Sequence, residues 1–232
     1  MKRIMGILLL VFGILFVGYQ LASDFLFQQR AKINHTQEIT AEQMAENETR
    51  EVENDFEAIT NVSALDAFTE LSHIKPEFVV GQLVIPAMKR DLPISKGIND
   101  ENLLIGVATL KDGQKLGQGN FAVAGHNHRI PGSLLNGFDN IGMGIDLYAT
   151  NKDKIYHYIT YDRVVTEADA FEYLEDEVAK EHGKPIFTML TCALPIVEDQ
   201  RVFILSELVQ IIDYSEEKMT ELMNNGQVTQ RE

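Results

Sequence analysis

The chain has 232 residues, with 35 acidic and 20 basic side chains, a net charge of −15 and a single cysteine. So acidic a chain is repelled by nucleic acid and by anionic headgroups, which excludes both as partners of its soluble part. One cysteine excludes an intramolecular disulfide, and with no Cys-x-x-Cys and no His-Glu-x-x-His the common zinc motifs are absent too.

Lys2 and Arg3 precede Ile4–Ser23, an uncharged and mostly apolar run. About 20 such residues span a bilayer core as a helix. Basic residues before the run and acidic ones after it (Asp24, then Glu38) predict a cytoplasmic N-terminus and an extracytoplasmic remainder. Leu21-Ala22-Ser23 lacks a small-x-small cleavage site, so residues 1–23 are expected to be a retained anchor rather than a signal peptide. Residues 24–75 are rich in Glu and Asp and read as an acidic, solvated, extracytoplasmic spacer, partly helical or disordered.

From residue 76 the texture changes to short strands. Phe78–Ile85 is one, and Leu103–Val107 is a short apolar segment of helical-turn length. Phe121–His126 is a strand in which Ala122, Ala124 and His126 share one face and Phe121 and Val123 the other. Asp146–Thr150 and Ile155–Tyr161 flank a turn at Asn151–Lys154 and form a hairpin. In Thr166–Lys184, Ala168, Phe171, Leu174 and Val178 recur at helical spacing, which predicts an amphipathic helix with Phe171 and Leu174 against the barrel. Phe187–Cys192 and Arg201–Ile204 are two strand-like runs joined by a loop that contains Pro195. Many short strands with turn signals between them predict a mainly β fold, a closed or nearly closed barrel of about eight strands over 76–213. The polar tail, 214–232, contains Asn-Asn-Gly and is expected to fray.

The hairpin reading sets Cys192 opposite Arg201, and a cation beside a thiol favours thiolate. His126 ends another strand on a face of small residues, and so supplies a titratable partner for the thiol. His126 and His128 could share a metal, but no third ligand stands at a telling spacing, so none is expected. His157 and His182 read as surface or rim residues. Two uses of these side chains remain besides acyl transfer: an extracellular cysteine peptidase, and a membrane-tethered binding module without chemistry.

Thr188-Met189-Leu190-Thr191-Cys192 resembles the Thr-Leu-x-Thr-Cys signature of sortases, with Met189 in place of leucine. Gly125-His126 resembles the sortase histidine motif, and Arg201 stands where the sortase arginine opens the last strand. The likeness runs over about residues 78 to 211 and includes Gly81–Pro86 and Leu92-Pro93-Ile94. The resemblance implies a class A enzyme that cleaves a Leu-Pro-x-Thr-Gly sorting signal after Thr and transfers the protein to a lipid-linked peptidoglycan precursor amine. It implies Cys192 as nucleophile, His126 as acid and base, and Arg201 as oxyanion donor or peptide-orienting group. Thr188, Leu190 and Ala124 match groove-lining positions. Some class A sortases bind calcium just before the histidine strand; here the matching positions are Lys111, Gln114 and Gln118, so no calcium and no other cofactor is expected.

Overall fold

The computed structural model describes residues 5, 6, 10–13, 16, 18, 36, 38–52, 54, 55, 76–127, 132–167, 169–192 and 200–225. Eight strands among these residues close into a barrel: β1 (Val79–Ile85), β2 (Arg90–Ser95), β3 (Val107–Thr109), β4 (Asn120–Gly125), β5 (Asp146–Thr150), β6 (Lys154–Glu167), β7 (Ile186–Cys192) and β8 (Gln200–Asp213). Their spatial order is β1-β2-β3-β4-β7-β8-β6-β5, and β5 pairs back onto β1. Closure leaves no unpaired sheet edge. The pairs β2·β3 and β4·β7 are parallel and the others antiparallel.

Period-2 alternation sorts β4, β7 and β8 between two cores. Phe121 and Val123 of β4, Phe187 and Met189 of β7, and Val202 and Ile204 of β8 join Leu83, Ile85 and Tyr158 inside the barrel. Phe187 stacks on Phe121 with centroids 5.4 Å apart and tilts against Tyr158 at 5.3 Å. The alternate residues, Ala122, Ala124, Leu190, Phe203 and Leu205, face outward into a second cluster. There they meet Leu103 of α2 (Asp100–Ile105) and a cover made of a 3-10 turn at Phe171–Leu174 followed by α3 (Asp176–His182).

Three expectations are corrected. The predicted helix over 166–184 is shorter: β6 runs on to Glu167, where Thr166 and Glu167 still pair with Arg201 and Gln200, and the α-helix begins only at Asp176. Leu174 packs as expected, but Phe171 is 48% exposed. The solvated spacer in fact packs on the barrel where it is described. Thr40 and Gln43 form a capping box that starts α1 (Ala41–Glu48), and Met44 and Ile39 bury against Val79. Asn47 Nδ2 donates to the carbonyls of Pro76 (3.0 Å) and Val79 (2.8 Å), fastening α1 to the first strand. The described part of the tail, 214–225, forms α4 (Glu216–Asn225), whose Met219, Leu222 and Met223 pack on Val84, Tyr148 and Ile155.

The expected anchor falls largely outside the described residues. Those described within it, residues 5, 6, 10–13, 16 and 18, are helical, and no described helix is long and apolar enough to cross a membrane.

Candidate active site

Three strands side by side carry the candidate residues. β4 and β7 run parallel with Ala122 opposite Thr188 and Ala124 opposite Leu190. His126 and Cys192 each follow that last pair by two residues, His126 just past the end of β4 and Cys192 as the last residue of β7. On the other side of β7, antiparallel β8 pairs Cys192 with Arg201. His126, Cys192 and Arg201 therefore form one row across β4, β7 and β8 at the end of the second core. Residues 128–131, including His128, and 193–199 lie outside the described residues.

The row is dry. Cys192 and His126 are each 6% exposed. Burial pushes the Cys192 thiol above its ordinary range, and the nearby Arg201 cation pulls it down by less. The cation acts in the expected direction, but desolvation of a thiolate in this pocket outweighs it. A thiol raised in this way holds its proton at neutral pH, so any reaction through sulfur calls for a proton acceptor nearby.

Beyond the last ladder pair, side chains hold the strand ends together. Thr191 Oγ1 donates to the Gly125 carbonyl at 2.8 Å, and Asn127 Nδ2 donates to the Cys192 carbonyl at 2.9 Å. The loop after β4 folds back so that Leu135 N donates to the His126 carbonyl at 3.1 Å and Gly137 N to Asn127 Oδ1 at 3.3 Å. Arg90 supports that loop from below, with Nε on the Leu134 carbonyl at 2.7 Å. Gly125 has to lack a side chain: a Cβ there would lie 2.7 Å from Leu135 Cδ1 and 3.0 Å from Val107 Cγ1.

Ala124, Thr188 and Leu190 lie on the expected face, but Ala124 and Thr188 are fully buried and Leu190 nearly so. They are the floor beneath the 170–179 cover, not an open groove wall. The cover is tied to β4 by polar bonds. Asp176 Oδ1 accepts from Lys111 Nζ (2.8 Å) and Asn120 N (3.0 Å), and Asn120 Nδ2 donates to the carbonyls of Tyr173 and Glu175. Tyr173 also tilts against Phe203 of β8 at 5.1 Å. Gln114 is committed elsewhere, bonding both the N–H and the carbonyl of Ala122.

The other two histidines among the described residues stand apart from the row. His157 meets Asp146 at 2.7 Å and stacks on Tyr148, while His182 meets Glu207 at 2.8 Å and stacks on Tyr161. A cavity of about 910 Å³ lined by Arg90, Leu92, Leu134, Tyr214 and Met219 contains none of the three row residues. Asn127 and Asn120 belong to no motif in the sequence, and Thr191 stands in one without a role of its own. Their roles come from register and loop return, for which single residues carry no signal.

A sortase domain family model matches residues 83–209. The chain is 29% identical over 207 residues to a Sortase A of Bacillus anthracis, covering 89% of this chain and 93% of that protein. It is 24% identical over 225 residues to a Sortase A of Listeria monocytogenes, covering 97% of each. Among solved structures, the fold is similar to a sortase A of Listeria monocytogenes, with a TM-score of 0.57, 23% identity, and coverage of 63% of this chain and 98% of that one. It is also similar to sortase C-3 of Streptococcus pneumoniae, with a TM-score of 0.58, 21% identity, and coverage of 84% and 97%.

Proposed function

Since the chain belongs to the sortase family of cysteine transpeptidases and is class A-like in its relatives, we propose that Cys192, His126 and Arg201 carry its acyl transfer from a Leu-Pro-x-Thr-Gly sorting signal. The observation that supports this reading is that Cys192 is in register with Arg201 on one side, and on the other has its carbonyl bonded by Asn127, the neighbour of His126.

The Cys192 sulfur attacks the carbonyl carbon of the signal's threonine while its proton passes to His126. The carbonyl π pair moves to oxygen, and the Arg201 guanidinium donates to the oxyanion or holds the peptide beside it. The oxyanion collapses, the Thr–Gly C–N bond breaks, and His126 returns its proton to the leaving glycine nitrogen. A thioester remains. The amine of a lipid-linked peptidoglycan precursor then attacks it, giving its proton to His126. The C–S bond breaks and the thiol is restored as His126 releases that proton to sulfur. Water exclusion around Cys192 protects the thioester from hydrolysis.

In this reading Ala124, Thr188 and Leu190 contact the signal once the cover shifts. Residues 1–23 anchor the protein in the membrane as a single span, and the barrel, 76–213, works outside the cell on secreted proteins. The chemistry requires no cofactor.

Incubating the protein with a Leu-Pro-x-Thr-Gly peptide and recording its intact mass tests the reading. A mass gain equal to the acyl part through threonine, absent in Cys192→Ala, is the expected result. Peptide cleavage that persists in Cys192→Ala would overturn it.

A further inference from the structure

We propose that Asn127 is a positioning residue for this reaction: its carboxamide clamps the main chain of Cys192 to the strand end that carries His126. The inference rests on the roles assigned above to those two residues. The backbone ladder between β4 and β7 has its last pair at Ala124 and Leu190, two residues short of the row. Past that point the spacing of the reacting residues is held by side chains. Thr191 Oγ1 bonds the Gly125 carbonyl just before His126, and Asn127 Nδ2 bonds the Cys192 carbonyl just after it.

The clamp is a built one. Asn127 is 6% exposed, and its two amide ends are used by different elements. Their orientation is forced, because only the amide oxygen can accept from Gly137 N and only the amide nitrogen can donate to the Cys192 carbonyl. The same return loop bonds the His126 carbonyl through Leu135 N and is itself supported by Arg90. Asn127 thus links the histidine, its loop and the nucleophile. Misplacement by about 1 Å can cost a hundredfold in rate where two groups must meet in one geometry. An asparagine that merely filled a polar hole would affect stability and not the coupling of Cys192 to His126.

A double-mutant cycle read by iodoacetamide alkylation of Cys192 at neutral pH separates the two, using wild type, Asn127→Ala, His126→Ala and the double variant. Asn127→Ala is expected to slow alkylation severalfold, and the double variant to be no slower than His126→Ala, because the base can no longer be lost twice. A wild-type rate in Asn127→Ala, or losses that multiply, would overturn the proposal. Asn127→Asp keeps the shape and serves if the alanine variant does not fold. Its carboxylate faces the Cys192 carbonyl acceptor to acceptor, whereas its protonated form can donate again. Its rate relative to wild type should therefore rise as pH falls through the carboxyl range; a flat ratio overturns the proposal. A cycle that holds while the wild type forms no thioester with a Leu-Pro-x-Thr-Gly peptide defeats the acyl-transfer reading and leaves the clamp standing. A thioester with an additive cycle does the reverse.

Discussion

Cys192 and Arg201 are register partners, the last pair of the β7–β8 ladder, so backbone pairing sets the arginine directly across from the cysteine. Burial raises the thiol and Arg201 lowers it. Removing the cation leaves burial unopposed, so Arg201→Met should move the thiol further up. In an iodoacetamide pH profile the rising limb should shift to higher pH, and Arg201→Lys should shift it less. A limb that stays in place in Arg201→Met would show that the guanidinium does not act on sulfur.

The three row residues should separate by role in kinetics. Cys192→Ala should abolish both cleavage and transfer with the fold retained, since a smaller apolar group at a strand end disturbs little packing. His126→Ala and Arg201→Ala should each lower kcat/KM by about a hundredfold or more, the usual size of proton-transfer and oxyanion contributions. A loss of only severalfold in His126→Ala would remove it from the proton path.

Much of this site could be read from the sequence because alternation is local. Small residues before His126 and the Thr-x-Leu-x-Cys face of the next strand marked one surface, and both lie in the outer cluster. Non-local pairing was not readable in the same way. Thr166 and Glu167 look helical by the apolar spacing around them, yet they stay extended because β8 pairs with β6, through two bulges, all the way to Glu167. The acidic composition of residues 38–55 hid the burial of Met44 and Asn47, which depends on where β1 lies. In α4, Met219, Leu222 and Met223 carry a helical period that the Asn-Asn-Gly after them obscured.

Two packing substitutions test the frame around the row. Gly125→Ala would force a methyl group against Leu135 and Val107, both fully buried. Overpacking of this kind costs about 1–3 kcal/mol, and here the strain falls next to His126. The expected outcome is a lower denaturation midpoint together with lower kcat. Met219→Ala removes the buried anchor of α4, 5% exposed, and should cost about 2 kcal/mol in urea unfolding with little change in kcat. Wild-type stability in Met219→Ala would mean that α4 is not docked.

The Lys111–Asp176 bridge gives a pH signature. The hydrogen bond from Lys111, and then that from Asn120 N, hold the Asp176 carboxyl below its usual range. A carboxyl depressed on folding stabilises the protein above its unfolded pKa, about 3.9, and the contribution is lost as pH falls through the lower folded value. Asp176 is more than half exposed, so screening keeps the ion pair itself small, and the bonds to the cover are worth about 1 kcal/mol. Asp176→Asn should therefore be less stable than wild type at neutral pH, and the difference should close on acidification. A difference that persists unchanged in acid would place the effect outside this carboxylate.

The same bridge bears on metal dependence. A hard divalent cation needs several carboxylate or carbonyl oxygens converging from more than one segment. Where the cover approaches β4, Asp176 is already bonded by an ammonium, and Gln114 spends both ends of its amide on Ala122. A cation entering there would have to displace the Lys111 ammonium and then sit beside it. The cover is instead held by Asn120, Tyr173 and the packing of Leu174. Transpeptidation in chelator and in excess calcium should agree within about a factor of two, whereas 1.4 kcal/mol of coupling would give tenfold. The discriminating variant is Lys111→Glu, which replaces the ammonium with a second carboxylate beside Asp176. If calcium accelerates Lys111→Glu and not the wild type, the lysine is what makes the cover independent of metal. Severalfold stimulation of the wild type would show that ligands reach the cover from elsewhere in the chain.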